Sequence, residues 1–264
     1  MNVKFLINSN CNLKCVYCHN EYQGNASCQA DKNKIKFSRN IILETLNEYG
    51  VNNIDNIKIS GGEPFLKPKE VIKIMEFASS INKEIIILTN ATVYNSALLN
   101  EIIKHNINEI RINLPTFDVF KYKDITKAND KETKILFNNI EYFLKNKIPI
   151  SLNIVLMCRL EKIDDFVKKY LADVSKYNFK TFKSIRFIVN DWLPDKHNYF
   201  DKVNEVICSL TNTLGERRRG RIIDFNDCYI PISLIKCSMD EESDIYLLPP
   251  GIILTNYIKG RAYD

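Results

Sequence analysis

Six times along its first 190 residues, a short apolar segment rich in β-branched residues gives way to a longer one with apolar residues every three or four positions. This alternation constrains the fold more than any other feature. Strands separated by helices do not pair as hairpins; they form a parallel sheet with right-handed crossovers. The predicted strands are Val3–Asn8, Asn56–Ser60, Ile85–Thr89, Glu109–Asn113, Ile150–Leu156 and Ile185–Val189. Unbroken apolar runs at 85–88 and 154–157 suit strands covered on both faces. Helices are predicted at Ser38–Tyr49 behind a serine cap, at Lys69–Ser80 after Pro68, and at Asn95–His105, Lys131–Lys147 and Glu161–Tyr177. An open doubly wound sheet and a partial barrel both satisfy this pattern, and periodicity does not separate them.

Beyond residue 190 the pattern changes. A helix-like stretch, Tyr199–Leu214, leads into the basic segment 215–221, which reads as a solvated loop, and then into a cysteine-containing region. A hairpin-like stretch at 244–256 would turn at Pro249-Pro250-Gly251. The chain therefore divides into a core, 1–194, and a C-terminal extension, 195–264, packed against it.

Charge excludes little: 37 Lys+Arg against 32 Asp+Glu leave a net +5, too weak a bias to argue for nucleic acid. No apolar run approaches the roughly 20 residues that cross a bilayer, and the start, MNVKFLINSNC, lacks a signal peptide's apolar stretch. A cytoplasmic protein with no membrane partner is expected.

Eight cysteines in such a chain point to metal or redox chemistry rather than disulfides. Cys11, Cys15 and Cys18 lie within eight residues, directly after the first predicted strand. Three thiolates on one short loop can reach three irons of a cubane cluster. Zinc is the competitor, but a structural zinc site wants four ligands, and His19 is the only nearby fourth. Gly61-Gly62-Glu63-Pro64 ends the second predicted strand. In a parallel α/β fold the C-terminal strand ends form the reactive face. Paired glycines there let the backbone approach a ligand, and Glu63 offers a carboxylate to a cation.

At these residues the chain resembles the radical S-adenosylmethionine superfamily, through Cys-x3-Cys-x2-Cys with Tyr17 before the last cysteine and the Gly-Gly-Glu-Pro element on the next strand. The resemblance implies a partial (β/α)6 barrel, one 4Fe–4S cluster on Cys11, Cys15 and Cys18, and S-adenosylmethionine chelated by the open iron. Gly61, Gly62 and Glu63 would line the cofactor's methionine part, with Glu63 near its ammonium, and the backbone at Tyr17 would meet its adenine. One electron would cleave the sulfonium to a 5′-deoxyadenosyl radical that abstracts a substrate hydrogen. An external donor of flavodoxin or ferredoxin type would supply that electron.

Fainter likenesses at 88–93, 111–126, 150–157 and 185–194 are most similar to the molybdenum-cofactor GTP 3′,8-cyclase branch. They imply that Asn113 and Asn153 approach the cofactor, and that Lys4, Lys67 and Arg186 face the substrate. Ser151 stands where that branch carries a lysine, which counts against GTP; a small molecule or a ribosomal peptide is the expected substrate. The branch's second cluster is also poorly matched. Cys228 and Cys237 precede the hairpin at a wider spacing, so a second cluster on Cys208, Cys228 and Cys237 is the less favoured arrangement. A glycyl-radical activase and a zinc-binding interaction module are the alternative functions.

Overall fold

The computed structural model describes residues 2–8, 10–18, 47, 50–177, 182–189, 196–210, 216–217, 220–225, 228–236, 244–248 and 252–255. Six parallel strands form the centre: β1 (Asn2–Leu6), β2 (Asn56–Ser60), β3 (Glu84–Thr89), β4 (Glu109–Asn113), β5 (Ile150–Val155) and β6 (Phe182–Val189), side by side in chain order. The helices described are α1 (Pro68–Ser80), α2 (Ser96–Lys104), α3 (Val119–Thr126), α4 (Asp130–Lys145), α5 (Ile163–Val174) and α6 (Lys196–Ser209). The helix expected at Ser38–Tyr49 lies, but for residue 47, outside the described residues.

Side-chain alternation decides between the two architectures left open by periodicity. Successive side chains of a strand point to opposite faces. One set, Ile57, Ile59, Ile85, Ile87, Ile110, Ile112, Ile150, Leu152, Ile185 and Phe187, joins a single core with Ile74, Leu98, Leu136, Phe143, Val167 and Leu171 of the helices. The other set is largely polar: Lys4, Lys58, Ser60, Glu109, Arg111, Asn113, Ser151, Asn153 and Arg186. A doubly wound sheet would need an apolar second face for its second helix layer. This sheet has helices on one face and a polar lining on the other, the arrangement of a partial barrel.

The helix starts are fixed locally. Asn95 caps α2 by accepting from Leu98 N at 2.9 Å, and Asp118 caps α3 through Phe120 N and Lys121 N. At α4, Asn129 and Glu132 form a reciprocal capping box, both bonds 2.9 Å.

The last third of the chain lengthens the same sheet at both edges. β7 (Glu216–Arg217), β8 (Gly220–Phe225) and β9 (Cys228–Lys236) lie beyond β6, with β9 parallel to β6 and antiparallel to β8. The basic segment expected as a solvated loop is thus largely strand: Glu216 pairs with Arg221 and Arg217 with Gly220. At the other edge, β10 (Asp244–Leu248) runs parallel to β1, and β11 (Ile252–Thr255) folds back on β10 with Leu248 opposite Ile252, which is the expected hairpin. Its turn, 249–251, lies outside the described residues.

Candidate active site

Because β1, β2 and β3 are parallel and in register, their C-terminal ends at Leu6, Ser60 and Thr89 emerge side by side. The segment leaving β1 is zipped to the one leaving β2. Ile7 N donates to Ser60 O (2.9 Å), Gly62 N to Asn8 O (2.7 Å), Glu63 N to Asn10 O (2.8 Å), and the Asn8 amide returns to Glu63 O at 3.0 Å. Gly61 makes that closeness possible. Its φ is +141°, and a Cβ there would sit 2.6 Å from Asn8 O.

Glu63 is fully buried. Its Oε1 accepts from Phe65 N at 2.9 Å and from the Thr89 hydroxyl at 2.6 Å, while Oε2 accepts from Asn90 N at 2.7 Å. Burial pushes its pKa up to about 7, against the pull of those three donors. The carboxylate therefore clamps the end of β2 to the end of β3.

Asn90 continues the network to the cysteines. Its amide reaches Cys11 Sγ at 3.6 Å and Asn12 Oδ1 at 3.1 Å, and its Oδ1 accepts from Thr92 N and the Thr92 hydroxyl. Asn12 in turn donates to Thr92 Oγ1 and to Glu132 Oε1, both at 2.8 Å. Beside it, Ala91, standing where glycine would be usual, holds the left-handed φ of +54°. The carbonyl of Ala91 accepts from Asn139 at 2.9 Å.

The cysteine loop lies along α3. Lys14 N donates to Thr126 O at 3.0 Å and Val16 N to Ile125 O at 2.9 Å, so Cys15 is pinned against the last turn of that helix. A turn closed by Cys18 N to Cys15 O at 3.0 Å then carries Tyr17 inward, leaving Cys11 and Cys18 exposed and Cys15 half-buried. Burial raises the Cys11 thiol and pushes the Cys15 thiol up to about 12, with the neighbouring cysteines adding to both shifts. Three sulfurs on one loop, beside two buried tyrosine hydroxyls without a partner among the described residues, suit an iron–sulfur cluster.

The remaining expected residues fall into two groups. Asn113 and Asn153 are direct neighbours in register on β4 and β5, and Arg186 follows on β6, its Nη1 3.3 Å from Asn153 Oδ1. Lys4 lies on the same polar face. Lys67 does not: it is exposed at the junction between the 3-10 turn Pro64–Leu66 and α1. Lys58 was missed from sequence. It sits opposite Lys4 in register, and both are 5% exposed. Its signal was the two-residue spacing to Ser60 at the motif's edge. Of the cysteines weighed for a second cluster, Cys208 is exposed on α6; the Cys237 position and the Cys228 side chain lie outside what is described.

Comparison with known proteins agrees with this geometry. The Radical SAM superfamily model matches residues 5–170. A probable GTP 3′,8-cyclase of Methanocaldococcus jannaschii is 31% identical over 228 residues, 84% of this chain and 72% of that protein. One from Archaeoglobus fulgidus is 26% identical over 222 residues, covering 82% and 69%. Among solved structures, Streptococcus suis SuiB bound to S-adenosylmethionine superposes with a TM-score of 0.66 at 11% identity, over 96% of this chain and 59% of SuiB. Native anSMEcpe with bound AdoMet and Cp18Cys peptide gives 0.55 at 17% identity, over 80% of this chain and 60% of that one. The chain thus spans about six-tenths of the length of these structural neighbours. Their likeness establishes the partial-barrel fold. With the family match over most of the chain, the conclusion is that this protein belongs to the radical SAM superfamily, on the branch of the GTP 3′,8-cyclases, an enzyme family whose cofactors are a 4Fe–4S cluster and S-adenosylmethionine.

Proposed function

We propose that Cys11, Cys15 and Cys18 hold the cluster, and that the enzyme uses it to modify a small anionic molecule or an acidic segment of a ribosomal peptide. The single observation that carries the cofactor reading is the hydrogen-bonded network Glu63–Asn90–Cys11, which fixes three strand ends around one loop of thiols. A cluster held there would supply the one-electron chemistry for reductive cleavage of S-adenosylmethionine and, through it, hydrogen abstraction from the substrate.

The chain's own residues bind and orient. The backbone edge at Gly61 and Gly62 offers unhindered approach to the methionine part. With its carboxylate occupied by Phe65, Thr89 and Asn90, Glu63 serves by holding that edge in place. Asn113 and Asn153 stand at the strand ends, within reach of ribose or carboxylate oxygens. The polar strand face receives the substrate, with Lys4 and Lys58 supplying positive charge in a setting where water screens it little and the half-buried Arg186 adding to it. Ser151 in place of a lysine favours a substrate with less charge than a nucleoside triphosphate. An external reductant of flavodoxin or ferredoxin type delivers the electron, and a reducing cytoplasm suits the free thiols. Among the described residues no helix is long and apolar enough to cross a membrane. We read 1–194 as the catalytic core and 195–264 as the segment that completes the substrate side.

Anaerobic reconstitution with iron and sulfide, followed by dithionite and S-adenosylmethionine, tests this reading. The expected result is about four irons per chain and formation of 5′-deoxyadenosine, both lost in Cys15→Ala. Fully loaded protein that forms none would overturn it.

A further inference from the structure

Two buried tyrosines lie beside Cys15, and neither hydroxyl closes a hydrogen bond of ordinary geometry among the described residues. Tyr17 is 4% exposed and Tyr122 is fully buried. Elsewhere the fold satisfies such a group: the buried Tyr170 hydroxyl donates to Leu114 O at 2.7 Å. Phenylalanine would fill the same space without the cost of a desolvated hydroxyl, so a partner that arrives with the cofactor accounts for tyrosine at both positions.

The backbone brings both residues close to Cys15. The bonds from Lys14 N and Val16 N bracket Cys15 against the last turn of α3. Tyr122 is one helical turn back from that contact on the same helix face, where its carbonyl accepts from the Thr126 hydroxyl at 2.7 Å. Tyr17 occupies the turn that Cys18 N closes on Cys15 O, and its hydroxyl faces the Cys15 sulfur without closing a hydrogen bond of ordinary geometry.

We propose that the Tyr17 and Tyr122 hydroxyls donate hydrogen bonds to the Cys15 thiolate once the cluster is bound, and that these bonds raise the cluster's reduction potential. This rests on the assignment of Cys15 as a cluster ligand. Hydrogen bonds to a ligand sulfur offset negative charge, and the reduced cluster carries one more negative charge than the oxidised one, so the bonds favour reduction. The two tyrosines are positioning residues that act through the sulfur, and they ease electron acceptance from a weak biological donor.

The test is an EPR-monitored redox titration of reconstituted holoenzyme for wild type, Tyr17→Phe, Tyr122→Phe and the control Tyr170→Phe, with iron and sulfide counted in each. Each flanking variant should keep its cluster and move the couple to lower potential, with about tenfold less reduced cluster at a fixed poise, about 59 mV for one electron. Tyr170→Phe should not move it. In wild type, hydroxyl deuterons exchanged from D2O should couple to the reduced cluster, and this signal, which requires no variant, should weaken in each flanking variant. Full loading with unmoved potentials and no coupled deuterons overturns this proposal alone. Wild type that assembles no cluster overturns it together with the ligand assignment beneath it.

Discussion

The backbone N–H of Asn90 donates to the Glu63 carboxylate at 2.7 Å, and the side chain of the same asparagine reaches Cys11 Sγ at 3.6 Å. One residue thus connects the buried carboxylate after β2 to the first thiol after β1. Asn90→Ala keeps the backbone bond but removes four side-chain contacts, including both bonds from Thr92. It should lower stability by about 1–3 kcal/mol and slow S-adenosylmethionine cleavage more than it lowers iron content. Urea unfolding and 5′-deoxyadenosine yield, measured on one preparation, check both.

Glu63 gives the fold a pH dependence of defined sign. Its pKa is raised by burial from the ordinary 4.5 to about 7, so the folded state binds its proton more tightly than the unfolded chain. The stability from that proton is full below about pH 4.5 and is lost as pH rises through 7, about 3 kcal/mol in all. Urea unfolding of iron-free protein between pH 4.5 and 8 should show this decline. The difference between wild type and Glu63→Gln isolates it, because the variant, though weaker at every pH through a mismatched amide, lacks this titration. Parallel curves for the two proteins would refute the assignment.

Gly61 admits no side chain. An added Cβ meets Asn8 O at 2.6 Å and Asn8 N at 3.0 Å, backbone that is itself bonded to Gly62 and Glu63. Gly61→Ala should cost at least about 3 kcal/mol and separate the cysteine loop from the β2 turn. A melting temperature within 2 °C of wild type, on the order of what a surface substitution gives, would contradict this.

The polar strand face should distinguish Lys58 from Lys67. With inorganic pyrophosphate as a probe, wild type and Lys67→Met should gain thermal stability, whereas Lys58→Met should lose at least about tenfold in apparent affinity, about 1.4 kcal/mol. Equal response from all three proteins would remove the anionic substrate from consideration.

The centre of the fold was legible because its signals are local. Asn56–Ser60 and Glu109–Asn113 begin and end where their apolar alternation does. α3 was not anticipated: VFKYKDIT is short and carries no clean apolar stripe, and its cap, Asp118, gives little warning. β9 escaped notice because Pro231 argues against an interior strand. The structure accommodates the proline by starting the ladder to β6 one residue later, at Ile232. The cysteine triplet and the glycine pair are contiguous motifs, so they could be read directly. The contacts that position them were not readable, since Asn12 finds Glu132 across 120 residues of sequence. Lys58 was overlooked because a lysine in a strand reads as facing water, whereas here that face lines the interior.

The strand that leads into the cysteine loop has neighbours from opposite ends of the chain: β1 bonds to β2 on one side and to β10, which begins at Asp244, on the other. During synthesis β1 therefore keeps a bare flank until that late segment leaves the ribosome, roughly ten to fifty seconds at usual elongation rates. Such a flank is a template for adventitious pairing between nascent copies. Closing that flank is the task of β10, separate from the contacts to α3, Asn90 and Glu132 that hold the cysteine loop itself and are synthesised more than a hundred residues earlier.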